Sequence, residues 1–187
     1  MLGGPTRFGP LVVDGRCVPA LYAAETLDAV LTESVFHDTV LDRADGEPPE
    51  IYLSDLTTVR RSTITAQRDL RLGRFDEDAL GTLGLRRGQL IDTDADSYPG
   101  TVGWAEDAHR YGAAGSKPLD GLVWHSRRAA QGLGGRDLGC DLGLVLFGDR
   151  VARKDLRTSA TPVPLLAAAG LGELDAIANR LGVTLVR

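Results

Sequence analysis

Glu33 stands out by the company it keeps. It lies in the stretch Thr26-Leu27-Asp28-Ala29-Val30-Leu31-Thr32-Glu33-Ser34-Val35-Phe36-His37, where Leu27, Val30, Leu31 and Val35 recur at helical spacing. Glu33 and His37 are four apart, so a helix brings them to one side, beside Ala29 and Phe36. An acid among such neighbours is either the polar group of a sheltered site or half of a surface Glu–His pair. Taken alone, the residue types favour the surface pair. Ser126 is the second candidate, because it follows an apolar run at a strand end, where sites often collect their polar groups; a hydroxyl there also serves the adjacent turn. Arg127 and Arg128 add positive charge beside it, which suits either an anion or a solvated edge. Arg7 and Tyr22 precede the Glu33 helix and complete the set.

Three familiar constellations do not assemble. A carboxylate–His pair on one helix needs further metal ligands from other segments, and His109 and His125 are scattered, so no metal is expected. Ser126, His37 and an Asp make a triad only on paper, since Ser126 sits in Trp124-His125-Ser126-Arg127-Arg128 and not in a Gly-x-Ser-x-Gly elbow. Gly132-Leu133-Gly134-Gly135 has the look of a phosphate loop, but it leads into a strand where a dinucleotide fingerprint would open a helix.

The elements that must position these residues are short. Residues 1–16 are rich in Gly and Pro and read as loop. Residues 18–23 read as a strand that feeds a helix capped by Thr26. Residues 42–50 form a polar turn, 51–53 a brief apolar piece, and 59–66 and 68–72 two weakly patterned strands. Asp76 caps a helix that Gly84 stops. Residues 90–96 read as a polar connection and Tyr98-Pro99-Gly100 as a turn, after which Thr101 caps a helix reaching Tyr111, with Val102, Ala105 and Ala108 inward. Residues 121–124 and 142–147 are buried-type strands, the second the strongest in the chain. Pro162 and Pro164 break regular structure, and a helix over 173–181, stopped by Gly182, precedes a final strand over 183–186. Strands and helices mix without βαβ alternation, which predicts an α+β fold: one domain over 1–187, a mixed β-sheet with flanking helices. Its core spans about 7–150, with a C-terminal extension over 151–187.

Composition narrows the classes. With 187 residues, 43% hydrophobic and 25% charged, the chain suits one globular domain with a sizeable core. A formal net charge of -5 without a basic block argues against direct nucleic-acid binding. Cys17 and Cys140 show no metal-ligand spacing, and neither a signal sequence nor a bilayer-length apolar run is present, so a cytoplasmic protein with two free thiols is expected.

Several motifs, in order, resemble those of the RES-domain proteins. They are Thr6-Arg7-Phe8, Pro19-Ala20-Leu21-Tyr22-Ala23-Ala24, Glu33 eleven residues after that Tyr, Asp120-Gly121-Leu122-Val123-Trp124-His125-Ser126-Arg127, and Leu144-Val145-Leu146-Phe147. The resemblance implies a fold similar to the ADP-ribosyltransferase toxins, NAD as substrate, and a toxin neutralised by an Xre-type antitoxin. It implies that Arg7 belongs to the family's Gly-Arg-Phe/Trp motif, written here Thr-Arg-Phe, and that Glu33 and Ser126 are the helix acid and the strand-end Ser. Relatives also carry an earlier strand with a Tyr-Arg pair, for which this sequence has no room; where that Arg binds NAD, its absence would leave the chain inactive or incomplete.

The chemistry fits these residue types. Cleaving the nicotinamide–ribose bond develops positive charge on the ribose, which Glu33 would stabilise. Arg7 would grip the pyrophosphate, Tyr22 would stack on nicotinamide, Ser126 would orient nicotinamide or ribose, and His37 would orient Glu33 or activate the acceptor. NAD glycohydrolase or phosphorylase is the leading expectation. A protein ADP-ribosyltransferase with a target-protein acceptor, and a non-catalytic binding module, stand as alternatives. A homodimer is compatible with all three.

Overall fold

The computed structural model describes residues 6–36, 48–93, 95–111, 117–126, 142–159 and 161–187. In chain order the strands and helices are β1 (Leu11–Val13), β2 (Arg16–Val18), β3 (Ala20–Ala24), α1 (Leu27–Ser34), β4 (Glu50–Tyr52), β5 (Arg60–Arg61), β6 (Ile64–Ala66), β7 (Leu72–Arg74), α2 (Glu77–Thr82), α3 (Arg87–Leu90), α4 (Tyr98–Tyr111), β8 (Gly121–His125), β9 (Leu142–Phe147), β10 (Leu156–Thr158), β11 (Val163–Pro164), α5 (Ala168–Leu181) and β12 (Thr184–Val186). Short 3-10 turns lie at Leu53–Leu56, Ala95–Ser97 and Arg153–Asp155.

Apolar β9 holds the centre of a four-stranded sheet ordered β3-β9-β8-β7. It pairs antiparallel with β3 on one side and β8 on the other, while β8 pairs parallel with β7. The sheet is therefore mixed, and the fold is α+β with helices flanking the sheet. Two glycines permit the β8–β9 contact. A Cβ on Gly121 would stand 2.1 Å from the Val145 carbonyl oxygen, and one on Gly143 would stand 2.8 Å from the Trp124 indole. Smaller two-stranded pairings join β1 to β2, β10 to β6, β11 to β5 and, in parallel, β12 to β4.

Apolar packing falls into two clusters. Leu122 and Trp124 of β8 and Val145 and Phe147 of β9 are alternate residues and face one way, onto Phe8, Leu11, Phe75 and Ala105. Leu31 and Phe36, in and just after α1, pack with Leu174, Ile177 and Ala178 of α5 and with Val183. Beyond the sheet end at Phe147, Arg68 meets Asp120 through two bonds of 2.8 and 2.9 Å, and the Arg71 N–H donates to the same carboxylate at 2.8 Å. Those contacts, led by the Arg68 guanidinium, hold the Asp120 pKa below the usual carboxylate range.

Several local expectations are corrected. The region expected as loop holds β1, joined to β2 through Asp14 (φ 51) and Gly15 (φ 74). An Asp-Gly pair accepts the positive φ that a tight hairpin needs, and Asp14-Gly15 is the sequence signal for this one. The strand expected over 18–23 is cut at Pro19, which has no N–H for a ladder, so β2 ends before it and β3 begins after it. The strand expected over 59–66 divides into β5 and β6, and the one over 68–72 moves to β7. Residues 90–96 are not a simple polar connection, because Leu90 ends α3 and both Leu90 and Ile91 are fully buried. Tyr98-Pro99-Gly100 is the first turn of α4, where proline's missing N–H is no loss, and Thr101 lies inside the helix. Val163–Pro164 forms the short strand β11 despite Pro164 within it and Pro162 just before it, the pairing being only two residues long. The last helix begins at Ala168, earlier than expected, with Gly170 packed so closely on Leu165 that a Cβ would meet its carbonyl oxygen at 2.3 Å.

Candidate active site

Glu33 is carried by α1, which Thr26 starts as its side chain accepts the Ala29 N–H at 3.1 Å. Leu31 and Phe36 hold one side of this segment in the second apolar cluster, and Ala29 is fully buried as well. Glu33 therefore projects from a helix enclosed on most sides, and its side chain keeps only 15% exposure. Both carboxylate oxygens have partners. The Ser126 hydroxyl donates to Oε1 at 2.6 Å, and Arg7 Nη1 donates to Oε2 at 3.4 Å.

Ser126 arrives there because it follows the last residue of β8, two positions beyond buried Trp124, and it is itself 3% exposed. Arg87 steadies that strand end. Its Nη2 donates to the His125 carbonyl at 2.7 Å, while its Nε is held by Asp92 at 3.0 Å.

Arg7 sits at the corner of a tight turn, closed by Thr6 N to Gly9 O at 2.7 Å and Gly9 N to Thr6 O at 3.2 Å. The next residue, Phe8, is fully buried and packs edge-on against Trp124 at 5.0 Å. Arg7 is drawn inward with it, to 9% exposure, and its buried Nε has no hydrogen-bond partner among the described residues. A guanidinium carries five N–H donors, and leaving one buried and unmet costs about 1–3 kcal/mol. The site thus holds donor capacity that an incoming acceptor would meet.

Tyr22 reaches the same turn from β3. Its hydroxyl accepts the Phe8 N–H at 2.9 Å and lies 2.8 Å from Thr6 Oγ1. Thr6 Oγ1 donates to the Gly9 carbonyl at 3.1 Å, which leaves the Tyr22 hydroxyl as donor to Thr6. Desolvation of the hydroxyl raises the Tyr22 pKa above its ordinary value, against the lowering influence of the Phe8 N–H and Arg7. Tyr22 as a residue is 39% exposed, and its ring stands edge-on to Trp124 at 6.4 Å.

The structure therefore brings together Arg7, Glu33 and Ser126, from positions far apart in sequence, and sets Tyr22 against the Arg7 turn. His37 lies outside the described residues, as do Arg127, Arg128, Cys140 and the Gly132-Leu133-Gly134-Gly135 loop. Among the described residues no group of three His, Cys, Asp or Glu side chains is placed to hold a metal ion. Sequence reasoning missed Thr101, whose hydroxyl bonds the Arg7 carbonyl, together with the hydroxyl role of Tyr22. The available signal was Thr101's spacing: it shares the inward stripe of α4 with Ala105 and Ala108, where a hydroxyl needs a partner.

An α+β fold with a mixed sheet, carrying an Arg–Glu–Ser cluster at one sheet end, defines the class. The chain belongs to the RES domain family, whose model matches residues 2–165 of its 187. That family is generally associated with NAD-using enzymatic toxins. Neither the curated proteins nor the solved structures include a match. No helix among the described residues is long and apolar enough to cross a membrane.

Proposed function

We propose that this protein is an NAD-consuming toxin that cleaves the nicotinamide–ribose bond, by hydrolysis or phosphorolysis. The observation that carries the reading is the convergence of Arg7 and Ser126 on the two oxygens of Glu33. In the reaction, the ribose C1–nitrogen bond breaks and its electron pair goes to the pyridinium nitrogen, which leaves as neutral nicotinamide. Positive charge builds on the ribose as it leaves. The Glu33 carboxylate, held fixed in a site of low exposure, stabilises that charge. A new C1–oxygen bond then forms from water, which releases a proton and gives ADP-ribose, or from phosphate, which gives its 1-phosphate.

Arg7 supplies the anion contact. One N–H is engaged with Glu33, and the unpartnered Nε is among those left for the pyrophosphate. Ser126 fixes the Glu33 rotamer and holds nicotinamide or ribose in line. Tyr22, partly exposed beside the Arg7 turn, gives nicotinamide an aromatic ring to stack on. The site needs no metal. An Xre-type antitoxin is the proposed neutralising partner.

Induced expression with measurement of cellular NAD tests the reading. NAD should fall with the wild-type protein and hold steady with Glu33→Gln. A folded wild-type protein that leaves NAD unchanged contradicts it. NAD labelled in its adenylate half then reports the acceptor: label in small molecules fits hydrolysis or phosphorolysis, and label on protein identifies a protein ADP-ribosyltransferase.

A further inference from the structure

We infer that Thr101, on α4, is a positioning residue for Arg7 and acts through the Arg7–Phe8 peptide. The inference rests on the reading of Arg7 as the residue that grips substrate. The peptide is held at both ends. Its carbonyl, on Arg7, accepts from the Thr101 hydroxyl, which shares its proton with the Tyr98 carbonyl of the same helix at 3.1 Å, and its N–H, on Phe8, donates to the Tyr22 hydroxyl at 2.9 Å. The two hydroxyls come from opposite supports, one from a helix of 14 residues and the other from a sheet strand. Thr101 is 2% exposed and Ala105, one turn further on, is fully buried, so the helix side of the grip is anchored in the core.

The side chain of Arg7 is enclosed, at 10% exposure, but its polar hold is slight. Among the described residues its one polar side-chain contact is the 3.4 Å approach to Glu33, and its Nε has no partner there. The point from which the guanidinium is presented is therefore set at the held Arg7–Phe8 peptide. In an extended arginine the central guanidinium carbon lies about 6 Å from Cα, so a tilt of about 10° at the peptide displaces it by up to about 1 Å. Displacements of about 1 Å at a binding group reduce rates by as much as about 100-fold. Tyr22 alone does not fix the peptide plane, because a single bond leaves rotation about the N–H direction open; Thr101 closes that freedom.

The test uses Thr101→Val, which keeps the shape and removes the hydroxyl, and Thr101→Ser, which keeps the hydroxyl. Two readouts are taken. The first is independent of turnover: the Arg Nε–H signals of the ¹⁵N-labelled full chain, with the Arg7 signal identified by its loss in Arg7→Lys. That signal should shift or broaden in Thr101→Val and return in Thr101→Ser. The second is NAD turnover, where Thr101→Val should raise KM about tenfold with kcat within about threefold, and should have no further effect in an Arg7→Lys background. If Thr101→Val does not fold, Tyr22→Phe releases the other end of the peptide and should move the same signal. An unchanged Arg7 signal in a folded Thr101→Val or Tyr22→Phe protein overturns the inference, as does full additivity with Arg7→Lys. Absence of turnover in the wild type removes the proposed function but leaves the spectroscopic answer standing.

Discussion

Replacing Glu33 by Gln isolates charge from shape, because the two side chains differ by one heavy atom type at one position. The Ser126 hydroxyl donates to Oε1 at 2.6 Å, and a Gln carbonyl oxygen accepts that bond as well. What disappears is the negative charge facing the reacting sugar. At about 4 Å and an effective dielectric near 20, a unit charge stabilises a developing cation by about 4 kcal/mol. The amide dipole recovers part of this, so kcat should fall by about 100- to 1,000-fold. Stability should change far less. The Arg7–Glu33 contact is a single approach of 3.4 Å between side chains that are 10% and 15% exposed. Its loss removes about 1–2 kcal/mol, which lowers Tm by roughly 2–8 °C in a chain of this size. The assay is nicotinamide release from NAD, paired with a thermal melt of the same preparation. A folded variant with kcat within about threefold of wild type would refute the electrostatic role of Glu33. A variant that cannot fold would make Glu33 a structural residue.

Ser126→Ala removes a hydrogen bond to a charged acceptor, worth about 1.5–3 kcal/mol, so kcat/KM for NAD should drop by roughly 10- to 150-fold; unaltered turnover contradicts its role in fixing Glu33. Gly143→Ala places a Cβ 2.8 Å from the Trp124 indole and should destabilise the fold by about 1–3 kcal/mol through overpacking. Emission from Trp124, isolated in a Trp104→Phe background, should change in that variant, and an unshifted melt and spectrum would show that the sheet absorbs the methyl group. Asp120→Asn gives a pH signature. Because its contacts with Arg68 lower the folded pKa of Asp120, that stabilisation is complete above the unfolded carboxylate value near 4 and disappears as pH falls through the lower folded value. The variant should therefore melt several degrees below wild type at pH 7 and approach it at acidic pH; a constant gap down to about pH 3 refutes the assignment.

What the sequence made legible was the part governed by local pattern. Thr26 capped α1, Asp76 capped α2, and the apolar run 142–147 became the central strand. The reach of Glu33 toward Ser126 and Arg7 was not visible in spacing, since the contacts join residues 93 and 26 positions apart and depend on how α1 and β8 meet at one sheet end. It came only through the order of family motifs. Pro99 and Gly100 misled because breakers in a first helical turn look like a turn in sequence. Pro162 and Pro164 misled in the same way, although two-residue pairing at an edge asks little of them. The grip on Arg7 was illegible for another reason: the Thr101 hydroxyl has a local acceptor in the Tyr98 carbonyl, and its second one, on Arg7, exists only once the turn of residues 6–9 is folded against α4.

Quantifying nicotinamide freed from NAD by the purified chain, with and without inorganic phosphate, tests the Arg7–Glu33–Ser126 site most directly. Wild-type protein should release nicotinamide in step with NAD loss, and Glu33→Gln at equal folded concentration should release almost none. Folded wild-type protein that releases no nicotinamide under either condition would contradict the assignment.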